Sequence, residues 1–116
     1  MGQLTTHVLD THSGRPAAGV RIELRCCEPG GALLASATTL DSGRTERPLL
    51  TGEEVRRGRY ELCFQVGDYF RQRGVALSSP AFLEQIIVQI GIADTEQHYH
   101  VPLLVTPWSY SVYRGG

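Results

Sequence analysis

Three stretches of this chain alternate apolar and polar side chains with a period of two, and that pattern excludes most folds. Val20, Ile22, Leu24 and Cys26 point one way while Arg21, Glu23 and Arg25 point the other. Tyr60, Leu62, Phe64 and Val66 repeat the pattern against Glu61, Cys63 and Gln65, and Ile86, Val88, Ile90 and Ile92 repeat it again. Alternation of this kind marks half-buried antiparallel strands, and the β-branched residues add propensity to pattern. Further strands are expected at Leu4 to Asp10, Leu33 to Thr38, Tyr99 to Thr106 and Ser109 to Tyr113. Turns are expected at Ser13-Gly14, Pro29-Gly30-Gly31, Asp41-Ser42-Gly43 and Arg57-Gly58. Short strands with such punctuation read as an all-β sandwich or small barrel.

One segment departs from the alternation. Asp68 to Arg73, bracketed by Gly67 and Gly74, reads as a helix of about two turns, with Asp68 capping its start and Gly74 ending it. So short a helix is marginal alone and must lean on the sheet through Tyr69 or Phe70. The chain of 116 residues shows no repeat, linker or low-complexity stretch, so a single domain over residues 1–116 is expected.

Composition narrows the function classes. Eleven basic residues, all arginine, against twelve acidic ones leave a net charge of −1, which suits neither a nucleic-acid binder working by bulk charge nor an acidic tail. No apolar run approaches the ~20 residues of a membrane span, and no membrane partner is expected. Three cysteines, two of them adjacent at Cys26 and Cys27, form no disulfide framework or zinc knuckle and fit a reducing compartment. The opening residues lack the features of a secretory signal. They match the loose myristoylation pattern at Gly2 and Thr6, but Leu4 onward already reads as strand. The expected location is the cytoplasm.

The residues best suited to move protons near neutrality are His7, His12, His98 and His100. His12 falls in a turn and reads as surface. His7 lies in a strand and shares a face with Thr5 and Leu9. His98 and His100 stand two apart in a strand, so their rings share one face about 6.6 Å apart. Such a pair suits proton transfer, a structural role or metal binding. No third ligand stands nearby, so no metal is expected. The tail interleaves Trp108, Tyr110 and Tyr113 with Ser109 and Ser111, as an edge strand or an intersubunit contact would. Neither a serine-nucleophile elbow nor a glycine-rich phosphate loop is present, and Ser79 simply precedes Pro80.

Several separated motifs together resemble a known family. They are Thr6-His7-Val8-Leu9-Asp10 with Gly14-Arg15-Pro16-Ala17, the turn Gly43-Arg44-Thr45, the stretch from His98 to Val105, and the terminal Tyr113-Arg114-Gly115. In this order they resemble the 5-hydroxyisourate hydrolases, the transthyretin-like enzymes of urate breakdown, over Leu4 to Gly116. The resemblance implies a transthyretin-like two-sheet β-sandwich of eight strands with one short helix. It implies a homotetramer, a dimer of dimers, with sites at the dimer–dimer interface, and a small purine-derived substrate. The implied reaction opens the ring amide between N1 and C6 of 5-hydroxyisourate to give 2-oxo-4-hydroxy-4-carboxy-5-ureidoimidazoline, with no cofactor and no metal.

By the same resemblance His7, Arg44 and His100 are catalytic, and His7, Arg44, Tyr113 and Arg114 contact substrate. His98 is not carried over as catalytic and faces the rim or supports the site. The family motif usually ends in serine where this chain has Gly116. Two other classes share parts of the pattern. A carrier would keep the channel but lack the histidines and Arg44, and a structural sandwich would explain the alternation but not the motifs.

Overall fold

The computed structural model describes residues 1–27 and 30–116, arranged as two β-sheets and one short α-helix. In chain order the elements are β1 (Gln3–Asp10), β2 (Arg15–Pro16), β3 (Arg21–Cys26), β4 (Leu33–Thr38) and β5 (Leu50–Thr51). They continue with β6 (Gly58–Phe64), α1 (Val66–Gln72), β7 (Ile86–Ile92), β8 (His98–Val105) and β9 (Tyr110–Val112). One sheet runs β2-β1-β8-β9 with β5 also paired to β1; the other runs β4-β3-β6-β7. The described residues thus hold nine strands, seven at the places read from the sequence, where the resemblance implied eight. The two not placed are β2 and β5, two-residue pieces too short to show alternation, which cover opposite ends of one edge of β1. The expected turn at 29–31 lies partly outside the described residues, because Pro29 is not among them.

Alternation became burial as the pattern required. Leu4 and Val8 of β1, Val101, Leu103 and Val105 of β8, Ile22 and Leu24 of β3, and Leu62 and Phe64 of β6 are all buried. They join one apolar cluster drawn from both sheets, so the inward face of each sheet is removed from water by the other. The outward face of β1 carries Gln3, Thr5, His7 and Leu9, each half-buried.

The helix differs from expectation at its start. It begins at Val66, which the alternation had assigned to a strand, and Asp68 lies inside the first turn rather than capping it. The Gly67 amide bonds instead to the carbonyl of Glu84. The end is as expected: Gly74 has φ 80°, with Val75 N–H to Phe70 and Gly74 N–H to Arg71 closing a Schellman motif. Tyr69 and Phe70 are both buried, so two aromatic side chains anchor a helix that could not stand alone. No helix among the described residues is long and apolar enough to cross a membrane.

Candidate active site

The placement of the histidines follows from one pairing that periodicity does not reveal. β1 and β8 run parallel, with Thr5 opposite His100 and His7 opposite Pro102. Because side chains alternate, His98 and His100 stand on the same outward face as Thr5 and His7. The rings of His98 and His100 lie 6.2 Å apart. Thr5 Oγ1 sits between them, 2.8 Å from His98 Nε2 and 2.8 Å from His100 Nδ1.

Arg44 reaches the same face from the other side of β1. Between β2 and β5 the edge of β1 is covered by the loop around residue 43, and Arg44 pairs with His7 as an isolated antiparallel bridge. Gly43 makes this approach possible. Its φ is 81°, and a Cβ there would lie 2.3 Å from the Val8 carbonyl oxygen and 3.1 Å from His7 Cδ2. The Gly43 carbonyl accepts the Val8 amide at 2.8 Å, fastening the loop to the strand. His7 Nε2 lies 2.7 Å from the carbonyl oxygen of Ser42. A carbonyl only accepts, so Nε2 carries the proton and neutral His7 keeps its lone pair on Nδ1.

A second glycine sets the other boundary. Gly115 N–H donates to the His100 carbonyl at 2.8 Å, and a Cβ on Gly115 would meet His100 Cδ2 at 2.7 Å and Pro102 Cγ at 3.2 Å. The terminal segment therefore lies against the His100 ring, and only glycine fits there. A Cβ on Gly116 would meet nothing of this chain within 4 Å.

His7, Arg44 and His100 are thus brought together, while Tyr113 and Arg114 are placed elsewhere. The Arg114 guanidinium lies 4.2 Å from the centre of the Tyr99 ring and donates to Gln97 Oε1 at 2.6 Å. Tyr113 is exposed and lines, with Arg114 and residues of β7, a cleft of about 300 Å³. Successive side chains of an extended segment point opposite ways. With Gly115 against His100, Arg114 is turned to the other side.

Electrostatics favour a neutral His100. Its pKa is lowered, first by burial and then by the positive charge of Arg44 and by His98 and His7. No group of three or more histidine, cysteine or acidic side chains placed to hold a metal occurs among the described residues. Beyond the residues anticipated from the sequence, the geometry adds Thr5, Gly43 and Gly115. Thr5 had appeared only as a neighbour on the face of His7, and both glycines only within motifs.

A two-sheet fold with histidines and an arginine on one outward face defines a transthyretin-like protein. The chain belongs to the HIUase/Transthyretin family, whose model matches residues 4–115. It is 54% identical to the 5-hydroxyisourate hydrolase of Pseudomonas aeruginosa, covering 99% of this chain and 92% of that one. Among solved structures it is similar to (S)-allantoin synthase, with a TM-score of 0.94 and 45% identity; the match covers 99% of this chain but 44% of that chain. It is also similar to sea bream transthyretin in complex with thyroxine, at a TM-score of 0.85 and 25% identity, covering 97% of this chain and 94% of that one.

Proposed function

We infer that this chain hydrolyses 5-hydroxyisourate, opening its N1–C6 ring amide with water. The observation that carries the reading is the convergence of His7, Arg44 and His100 on one sheet face, in a chain 54% identical to a named hydrolase. Amide hydrolysis needs a base for the attacking water, a donor where negative charge develops on oxygen, and a proton for the departing nitrogen. His100, kept neutral, serves as the base. Arg44, always charged and planar, grips adjacent carbonyl and ring-nitrogen acceptors in a bidentate manner. His7, oriented by the Ser42 carbonyl, presents Nδ1 to the same space.

Arg114, held by Tyr99 and Gln97, secures the segment that lays Gly115 against His100. A carrier of the transthyretin kind requires none of the three proton-handling and anion-gripping groups, so their convergence favours the hydrolase reading.

The histidine face lies open on a single chain, which supports a sandwich that assembles as a dimer of dimers with each site closed at the dimer–dimer interface. Light scattering at micromolar concentration should give four times the 12.8 kDa chain mass, and a monomer would remove this part of the reading. Cysteines left reduced at Cys26, Cys27 and Cys63 suit a cytoplasmic setting. The deciding experiment follows freshly generated 5-hydroxyisourate with and without the purified chain. Loss no faster than the spontaneous rate would refute the assignment.

A further inference from the structure

We propose that Thr5 and His98 are positioning residues that set which nitrogen of His100 carries its proton, so that His98, Thr5 and His100 form a relay from the site to solvent. The inference rests on the hydrolase reading for its chemistry, though its geometry stands apart from it. The Thr5 hydroxyl has one proton and touches a ring nitrogen on each side at 2.8 Å. It can donate to only one ring and must accept from the other. If both rings donated, the hydroxyl proton would have no acceptor among the bonds Thr5 makes.

Two arrangements satisfy the geometry. In the first, Thr5 donates to His98 Nε2 and His100 donates from Nδ1, which leaves His100 Nε2 bare and basic. In the second, His98 donates from Nε2 and Thr5 donates to His100 Nδ1, which puts the His100 proton on Nε2. The two rings therefore share a tautomer, both protonated on Nδ1 or both on Nε2. The titratable and charged groups acting on His100 are Arg44, His98 and His7. None is a carboxylate that would hold the imidazolium in place.

Switching between the two arrangements accounts for both proton transfers. His100 Nε2 takes a proton from the attacking water as the oxygen bonds to C6. The Nδ1 proton passes to Thr5 Oγ1, the Thr5 proton passes to His98 Nε2, and exposed His98 releases its Nδ1 proton to solvent. His100 is left neutral with its proton on Nε2. When the C6–N1 bond breaks, that proton goes to N1 and the shift runs backwards, His98 regaining a proton from solvent. The net result moves one water proton to the leaving nitrogen.

The test is ¹⁵N NMR of histidine-labelled, substrate-free protein, compared with Thr5→Val and Thr5→Ser. Valine keeps the β-branched shape and removes the hydroxyl; serine restores the hydroxyl. In the parent and Thr5→Ser, the tautomer of His100 should follow that of His98, the two rings sharing one form. In Thr5→Val this dependence should vanish, and kcat should fall roughly 10-fold with KM unchanged, a part of what general acid–base catalysis supplies. Opposite tautomers in the parent, or a Thr5→Val protein with unaltered tautomers and kcat, would overturn the relay. A parent that does not accelerate 5-hydroxyisourate loss would refute the hydrolase reading instead, while the NMR result still judged the coupling.

Discussion

Strand β1 carries two polar clusters, and they differ in what is left over. At its end, the Asp10 carboxylate is buried and accepts the His12 amide at 2.9 Å, the Ser13 amide at 3.0 Å and the Tyr69 hydroxyl at 2.7 Å. Burial alone would raise its pKa, but the hydrogen bonds from Ser13, Tyr69 and His12 outweigh it and the net shift is downward. Tyr69 shifts up, by burial and then by its bond to Asp10. This cluster ties the helix and the turn after β1 to the sheet and leaves no oxygen of the carboxylate without a donor. Five residues earlier, the histidine face is half-buried at His7 and His100 and exposed at His98, and each of the three has one ring nitrogen in a hydrogen bond among the described residues. A saturated polar cluster holds structure together. An unsaturated one on the same strand is free to bind and to exchange protons.

Substitutions should separate the two clusters cleanly. The largest effect is expected for His100→Asn, about a 10³-fold loss of kcat/KM, or about 4 kcal/mol of barrier, with the melting temperature close to that of the parent. Asp10→Ala should do the opposite. Leaving Tyr69 and two amides without their acceptor should cost about 3 kcal/mol of stability in urea unfolding, while kcat at 25 °C in the folded fraction stays near parental. If Asp10→Ala instead lost activity without losing stability, the division between the clusters would be wrong.

Arg44→Lys comes next. It keeps the charge but loses the planar fork, and about a 10²-fold loss in steady-state assays is expected. A variant with parental kinetics would show that charge alone suffices.

The pH dependence of stability sharpens the comparison with smaller effects. His100 binds its proton less readily folded than unfolded, so its contribution is complete above about pH 6.5 and is lost as pH falls through the folded value. The Asp10 contribution persists until pH drops below the ordinary carboxylate value of 3.8 and is lost through its lower folded value. Thermal melts across pH should show two declines, the upper one absent in His100→Asn and the lower one reduced in Asp10→Ala, where Glu84 paired with Arg71 still contributes. The smallest effect should come from Gly116→Ser. Open space surrounds that position in this chain, so stability should change by less than about 0.5 kcal/mol, and any gain should appear only in kcat.

Much of this was legible in the residues, for a physical reason that also sets the limit. Alternation reports which face a side chain takes, so the inward sets around Ile22, Leu62 and Val88 and the outward setting of His7 beside Thr5 could be read directly. It does not report which strand lies alongside. The parallel pairing of β1 with β8 brings Thr5 between His98 and His100, and nothing local to either segment specifies it. Gly43 and Gly115 are likewise demanded by contacts with His7 and His100 from distant parts of the chain, and the outward turn of Arg114 follows from the approach of Gly115. Even the bond between Asp10 and Tyr69 depends on helix packing rather than on either residue's neighbours. The strand count missed β2 and β5 because two residues carry no period.

The pairing of β1 with β8 also bears on how the protein is made. Thr5 and His100 are 95 positions apart, and closing a loop of that length costs entropy before any contact repays it. A chain emerging from the ribosome presents Thr5 early but has neither His98 nor His100 beside it until almost the whole domain has been synthesised. Catalytic competence therefore arrives late and all at once. In a refolding experiment, recovery of turnover should track formation of the complete sheet rather than any earlier collapse.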